Sequence, residues 1–225
     1  MDAKEKFKYV FRGLNRAFGQ TRTGDKTNEK NKKSSSSFVI KREITDNDWK
    51  EHLDGGINSI GIIPINEDNL CAWGAIDIDS YDGFDHKNLI KKLFESKLPL
   101  VVCRSKSGGA HIFLFVKDEV PAKEMHMKLK DISILIEHPK AEIFPKQFEL
   151  NENGVGNFLN LPYNDPNFPT RYAFNDKGER LSLDQFLEYY DEKVVDNLDK
   201  VVIPETHTDE TFKIDFQHGP PCLLK

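Results

Sequence analysis

The stretch Leu-Cys-Ala-Trp-Gly-Ala-Ile-Asp-Ile-Asp, residues 70–79, decides how the chain is read. It is apolar almost throughout and ends in two aspartates spaced by one residue. On a strand, side chains two apart share a face, so Ile76 and Ile78 point one way while Asp77 and Asp79 point the other, roughly 6.6 Å apart along the backbone. Two carboxylates on one face of a core strand repel each other and lose hydration unless a cation sits between them. A divalent metal site would supply that cation. If the strand ends there, both aspartates could equally face water.

Outward from this stretch the pattern is regular. Ile57 to Ile65, flanked by Gly and by Asn-Glu-Asp, reads as a strand pairing with 70–79 in a hairpin. Asp85 caps a helix with Leu89, Ile90, Leu93 and Phe94 at helical spacing, and Pro99 marks its exit. Leu100 to Cys103 is a short apolar strand, Ser105 to Gly109 a turn, and His111 to Val116 a further strand. Pro121 opens a helix with Ala122, Met125, Leu129, Ile132 and Leu135/Ile136 on one face, and Ala141 to Phe144 closes the set as a strand. Strand, helix, strand, strand, helix, strand is the split βαβ arrangement of ferredoxin-like and RNA-recognition folds. The expected fold class is therefore α/β (α+β), one domain over residues 1–200 with a smaller N-terminal α/β portion.

At the ends the signals weaken. Residues 20–37 are polar, rich in Lys and Ser and without apolar period, which predicts a mobile loop. Thr45 with Asp48 predicts a short capped helix ending at Gly55-Gly56, and Ser182 with Gln185 caps another through Tyr190. Between them, after residue 150, lies a Gly/Pro/Asn-rich connection. Residues 201–225 read as an acidic tail. Residues 1–50 hold thirteen Lys and Arg against seven Asp and Glu, whereas residues 181–225 hold four against ten. Such asymmetry suits a basic binding face and an acidic tail, although charge runs are also ordinary solvated surface.

Composition excludes several classes. Three widely separated cysteines without CxxC spacing support neither a disulfide framework nor a zinc site, which suits a reducing cytoplasm. No run of about 18 apolar residues is present, so no membrane span is expected.

Two further pieces carry chemistry. In Cys103-Arg104-Ser105-Lys106-Ser107-Gly108-Gly109-Ala110-His111, successive backbone N–H groups of the turn form an anion-binding nest. Arg104 and Lys106 add positive charge, and Ser105 and Ser107 add hydroxyl donors. An ordinary hairpin turn followed by a half-buried histidine is the plainer reading of the same residues. In Ala141-Glu142-Ile143-Phe144-Pro145-Lys146-Gln147, Glu142 lies between apolar neighbours on an expected core strand, a costly place for a charge without a metal or a lysine partner.

Taken in order, DID at 77–79, RSKSGGAH at 104–111 and EIFPKQ at 142–147 resemble the three catalytic motifs of the archaeo-eukaryotic primase superfamily. The flanks at Val10–Gly13, His52–Gly55, Gly61–Pro64, Gly156–Tyr163 and Gly219–Leu223 resemble the primase domains of TOTE conflict systems and related phage or plasmid primase-polymerases. The resemblance implies that Asp77, Asp79 and Glu142 hold two Mg²⁺ or Mn²⁺ ions and that Ser105, Ser107 and His111 contact a nucleoside triphosphate. Charge and location add Arg104, Lys106 and Lys146, with the Gly108-Gly109 backbone, to the nucleotide site. Asn157, Asn160 and Arg171 are expected near sugar or template.

The implied activity is template-dependent nucleotidyl transfer from dNTP or NTP on single-stranded DNA, starting or extending chains, in the cytoplasm of a bacterial, phage or plasmid setting. A helicase or a C-terminal helical domain is the implied partner, since in relatives the Gly-Pro-Pro-Cys-Leu piece leads into such a domain. No zinc is expected, although some relatives carry a zinc insertion. The alternative from another class is a non-catalytic single-strand-binding module on the same sheet, which would need neither metal nor Glu142. A metal-dependent nuclease would use the acids but not the Ser/Gly turn.

Overall fold

The structure is a computed structural model and describes residues 1–27, 33–80, 83–164 and 170–204. Among these, the α-helices are α1 (Ala3–Val10), α2 (Asp46–Leu53), α3 (His86–Glu95), α4 (Ala122–Leu135) and α5 (Leu183–Lys193). The strands are β1 (Phe18–Thr27), β2 (Lys33–Ile40), β3 (Asn58–Ile62), β4 (Leu70–Ile78), β5 (Leu100–Arg104), β6 (Ala110–Pro121), β7 (Glu142–Phe144) and β8 (Leu159–Asn160). They form two four-stranded antiparallel sheets, ordered β2-β1-β3-β8 and β5-β6-β4-β7.

The second sheet is the split βαβ unit expected from the sequence, with β4-α3-β5-β6-α4-β7 laid out as fourth, first, third and second strand. One face carries Ile76, Ile78, Val102, Ile112, Leu114 and Ile143 and packs beneath α3 and α4. The apolar stripe of α4 (Ala122, Met125, Leu129, Ile132) is fully buried there, each larger side chain contributing about 1.5–3 kcal/mol of transfer energy.

The opposite face carries Trp73, Ala75, Val101, Phe113, Phe115 and Phe144 in a second, aromatic core. Phe11, just past α1, fills its middle, with ring centroids 5.7 Å from Trp73, 5.4 Å from Phe113 and 5.9 Å from Phe186. The Trp73 indole N–H donates to the Arg12 carbonyl at 2.9 Å, so the buried ring leaves no polar atom unpaired. Phe18, Ile60, Ile62 and Leu159 bring the N-terminal sheet onto this core.

Three expectations are corrected. Ile57 to Ile65 does not pair with 70–79: β3 lies between β1 and β8, while β6 and β7 occupy both edges of β4. β4 is buried along nearly its whole length, and its ladder with the twelve-residue β6 runs from Leu70 to Ile78, which leaves β3 to pair in the other sheet. The expected mobile loop over 20–37 is instead largely strand, since residues 20–27 lie in β1 and 33–37 in β2. Ladder hydrogen bonds are made by the backbone whatever the side chains, and Thr21 and Ser37 add a hydroxyl pair at 2.8 Å. Residues 28–32 and the tail from 205 onward lie outside the described residues.

Glu142 is the third correction. Its strand β7 is short and at the sheet edge, and the side chain is exposed rather than held in a core. Both capping boxes hold, at Thr45/Asp48 and at Ser182/Gln185. The helix α1 and the strand β8 were not foreseen.

Candidate active site

Register brings the distant motifs together. Asp77 stands opposite His111 on β6 and opposite Glu142 on β7, and His111 stands opposite Cys103 on β5. The row Cys103, His111, Asp77, Glu142 therefore crosses the whole sheet on the face away from α3 and α4. Asp79 lies just past the end of β4 and is exposed.

The electrostatics of this row favour a cation. Burial raises the Asp77 carboxyl to about 7, and the charges of Asp79 and Glu142 push in the same direction, with Lys146 opposing them. His111 Nε2 lies 3.4 Å from Asp77 Oδ1. The imidazole is only 7% exposed, and burial together with the Arg171 charge lowers its pKa to about 3. At neutral pH His111 is thus an uncharged donor or acceptor, not a standing cation for Asp77.

The turn before β6 is closed by its own backbone, which leaves Ser105 N–H and Gly108 N–H engaged within it. Gly108 has φ +99°, a conformation closed to most side chains. Ser105 N–H donates to the Gly109 carbonyl at 2.9 Å, and Gly108 N–H donates to the Ser105 carbonyl at 3.2 Å. The Ser105 and Ser107 hydroxyls pair at 3.0 Å, and Ser107 leans on Asp79 Oδ1 at 3.4 Å. Lys106 is half-buried in the same turn.

Arg104 is engaged with backbone carbonyls beside the turn. Its Nη1 donates to the Thr170 carbonyl at 2.8 Å, tying the turn to the segment that carries Arg171. That segment runs antiparallel beside β5, with Arg104 N–H on Tyr172 O at 2.8 Å, Phe174 N–H on Val102 O at 2.9 Å and a bridge between Cys103 and Ala173. Arg171 is 3% exposed, and its Nε and Nη1 have no hydrogen-bond partner among the described residues. Burial lowers its pKa to about 10, so it still carries charge at neutral pH. Two buried guanidinium nitrogens without acceptors are costly, and an anionic ligand could satisfy them.

The remaining candidates scatter. Lys146 Nζ is 2.6 Å from Glu142 Oε2 and lies over the Phe144 ring, so it holds the third acid. Asn157 pairs with the Gln147 side chain at 2.6 Å and 2.9 Å, a partner the sequence reading passed over although it directly follows Lys146. Asn160 belongs to β8 in the other sheet and accepts from the Thr21 hydroxyl at 2.8 Å.

Carboxylate oxygens are the donors Mg²⁺ and Mn²⁺ prefer, and the Asp77 carboxyl, raised to about 7 by burial and by the charges of Asp79 and Glu142, would be stabilised as the anion by a cation, so the donor chemistry suits such ions. The arrangement is not a closed cage: among the described residues no three His, Cys, Asp or Glu side chains are gathered tightly enough to hold an ion, Glu142 being engaged with Lys146.

A split βαβ sheet with Glu142, Asp77 and His111 in one row and a Ser/Gly turn at the end of that row defines the class of the domain as α/β. The chain belongs to the TOTE conflict system, archaeo-eukaryotic primase domain family, whose model matches residues 8–192. That family is one of primase-type nucleotidyltransferases. The search of curated proteins returned no match. Among the described residues no helix is long and apolar enough to cross a membrane.

Proposed function

We propose that the domain is a template-dependent primase-polymerase that transfers nucleotides from dNTP or NTP to a strand on single-stranded DNA. The observation that carries this reading is the register of Glu142, Asp77 and His111 in one row beside the Ser105–Gly109 turn. Asp77, Asp79 and Glu142 would hold Mg²⁺ or Mn²⁺, which when bound supplies charge for the triphosphate and acidifies an attacking hydroxyl.

The chain's own residues then bind and orient. Backbone N–H groups and the Ser105 and Ser107 hydroxyls of the turn receive phosphate oxygens, with Lys106 beside them. Arg171 meets an anion with its unpaired nitrogens, and its burial strengthens that contact relative to water. His111, neutral and buried, donates a hydrogen bond to the nucleotide rather than serving as a base. Asn160 and Asn157 lie on the N-terminal sheet and its approach, where sugar or template would be met. Transfer itself rests on positioning and charge stabilisation, as nucleotidyl transfer requires.

The Glu142–Lys146 ion pair favours a second reading, a sheet that binds single strands without catalysis, because it leaves Glu142 engaged with a lysine. One assay separates the two. Labelled dNTPs and NTPs are offered with Mg²⁺ or Mn²⁺ on a single-stranded template, with and without primer, to the wild-type protein and to Asp77→Ala/Asp79→Ala. Metal-dependent incorporation lost in the variant supports the polymerase; metal-independent template binding without incorporation sinks it and leaves the binding module.

A further inference from the structure

Outside the acid row, one histidine reaches into the nucleotide turn. His86 is the first residue of α3, set by the Asp85 cap, which accepts from Asn88 N–H at 3.1 Å. Its Nε2 lies 3.0 Å from the Gly109 carbonyl. A carbonyl only accepts, so Nε2 carries the proton and donates. The same carbonyl takes the Ser105 N–H that closes the turn. The ring is held by Phe84 and Phe174, each with its centroid 5.0 Å away, and Phe174 belongs to the segment that carries Arg171.

Gly109 is also where the turn meets β4. A Cβ there would lie 2.0 Å from the Ile78 carbonyl oxygen and 2.9 Å from Ser80 N, the backbone on either side of Asp79. The distance between the phosphate nest and the acid-bearing strand end is therefore set at Gly109. Among the described residues, His86 supplies the side-chain hydrogen bond that fixes this carbonyl from outside the turn.

We propose that His86 is a positioning residue of the nucleotide site: its Nε2–H, bonded to the Gly109 carbonyl, holds the Ser105–Gly109 turn against the end of β4 and so sets the affinity for the triphosphate. The proposal rests on the polymerase reading for the ligand, but the clamp itself can be measured without it.

His86→Phe keeps the ring between its neighbours and removes the donor; His86→Gln keeps a donor. Amide hydrogen exchange on the whole protein reads the Ser105 N–H, titration with dATP and Mn²⁺ reads binding, and steady-state incorporation separates KM from kcat. One neutral hydrogen bond predicts three- to tenfold effects, about 0.5–1.5 kcal/mol. Faster Ser105 exchange, weaker dATP binding and a raised KM with kcat within about twofold are expected for His86→Phe, with at least partial recovery in His86→Gln. Unchanged exchange in His86→Phe overturns the clamp. Equal losses in both variants overturn the hydrogen bond as its cause. Faster exchange with unchanged dATP affinity overturns its role in binding. If the wild-type protein binds no dATP, the polymerase reading fails, and the exchange comparison alone still decides whether His86 holds the turn.

Discussion

The two sheets of this domain place their polar side chains under opposite conditions. In β5-β6-β4-β7, the row from His111 to Glu142 has acids that face one another, with Asp77 pushed up to about 7 by burial and by the charges of Asp79 and Glu142. In β2-β1-β3-β8 and the helix beside it, buried polar groups are already satisfied. Thr21 holds Ser37 and Asn160. His52, fully buried, accepts from Ile60 N–H at Nδ1 (3.1 Å) and donates from Nε2 to the Pro162 carbonyl (2.9 Å), with a pKa lowered to about 3. Satisfied groups fix a structure, whereas the raised Asp77 carboxyl and the unpaired Arg171 nitrogens are where the proposed ligands would be met.

That contrast can be broken at several points. The largest effect is expected at Asp77: replacement by Ala should lower incorporation by about a thousandfold or more, ~4 kcal/mol of barrier, while the melting temperature holds or rises. A variant that loses activity by unfolding, seen as a lowered melting temperature, would remove Asp77 from the ligand set.

On the other sheet the same kind of substitution should act on stability. His52→Ala leaves a carbonyl and an N–H unpaired around a cavity, and its unfolding free energy should fall by about 2–4 kcal/mol in denaturant titration. Nucleotide affinity per folded molecule should not change.

Arg171→Met sharpens the comparison, since it removes a buried charge but keeps most of the volume. Affinity for dATP should fall roughly ten- to a hundredfold, the cost of losing charge-assisted bonds. Thermal stability should hold or increase, because a charge with two unpaired nitrogens is no longer buried. A large loss of stability would instead make Arg171 a structural residue like His52.

The acid row should also respond to pH in its own direction. A proton must leave Asp77 before a cation takes its carboxylate, so Mn²⁺ affinity in a direct titration should weaken by up to about tenfold per pH unit below 7. Affinity flat between pH 5.5 and 8 would show that Asp77 does not ligate. The smallest effect concerns Asp48, whose carboxyl is held down at about 2 chiefly by Arg42, with Thr45 assisting. Its depressed pKa contributes stability fully present above the ordinary carboxylate range and lost as pH falls toward 2. Arg42 is half-exposed, so comparing denaturant midpoints of wild type and Asp48→Asn should show only a slight difference at pH 6 that vanishes near pH 2.

The sheet that carries the acids was readable because its strands and helices follow strict periods. Alternation at 73–79 placed Asp77 and Asp79 together, and the helical spacing of Met125, Leu129 and Ile132 announced α4. The N-terminal sheet was not, because β1 and β2 are built from Thr, Ser, Gly and Lys and pair through backbone groups that leave no mark in the side chains. The partners of β3 are illegible for another reason. Apolar content shows that a strand is buried but not against which neighbour.

By itself, then, the sequence determined the split βαβ order, the capped ends of α2 and α5, and the identity of three ordered motifs, since each rests on local spacing. Only the tertiary structure decided that Glu142 is an exposed edge residue, that Arg104 braces a neighbouring segment while Arg171 is a buried cation with two unpaired nitrogens, and that His86 reaches Gly109. Burial and partnership across 20 or 60 residues of chain arise when sheets pack, and no local pattern encodes them.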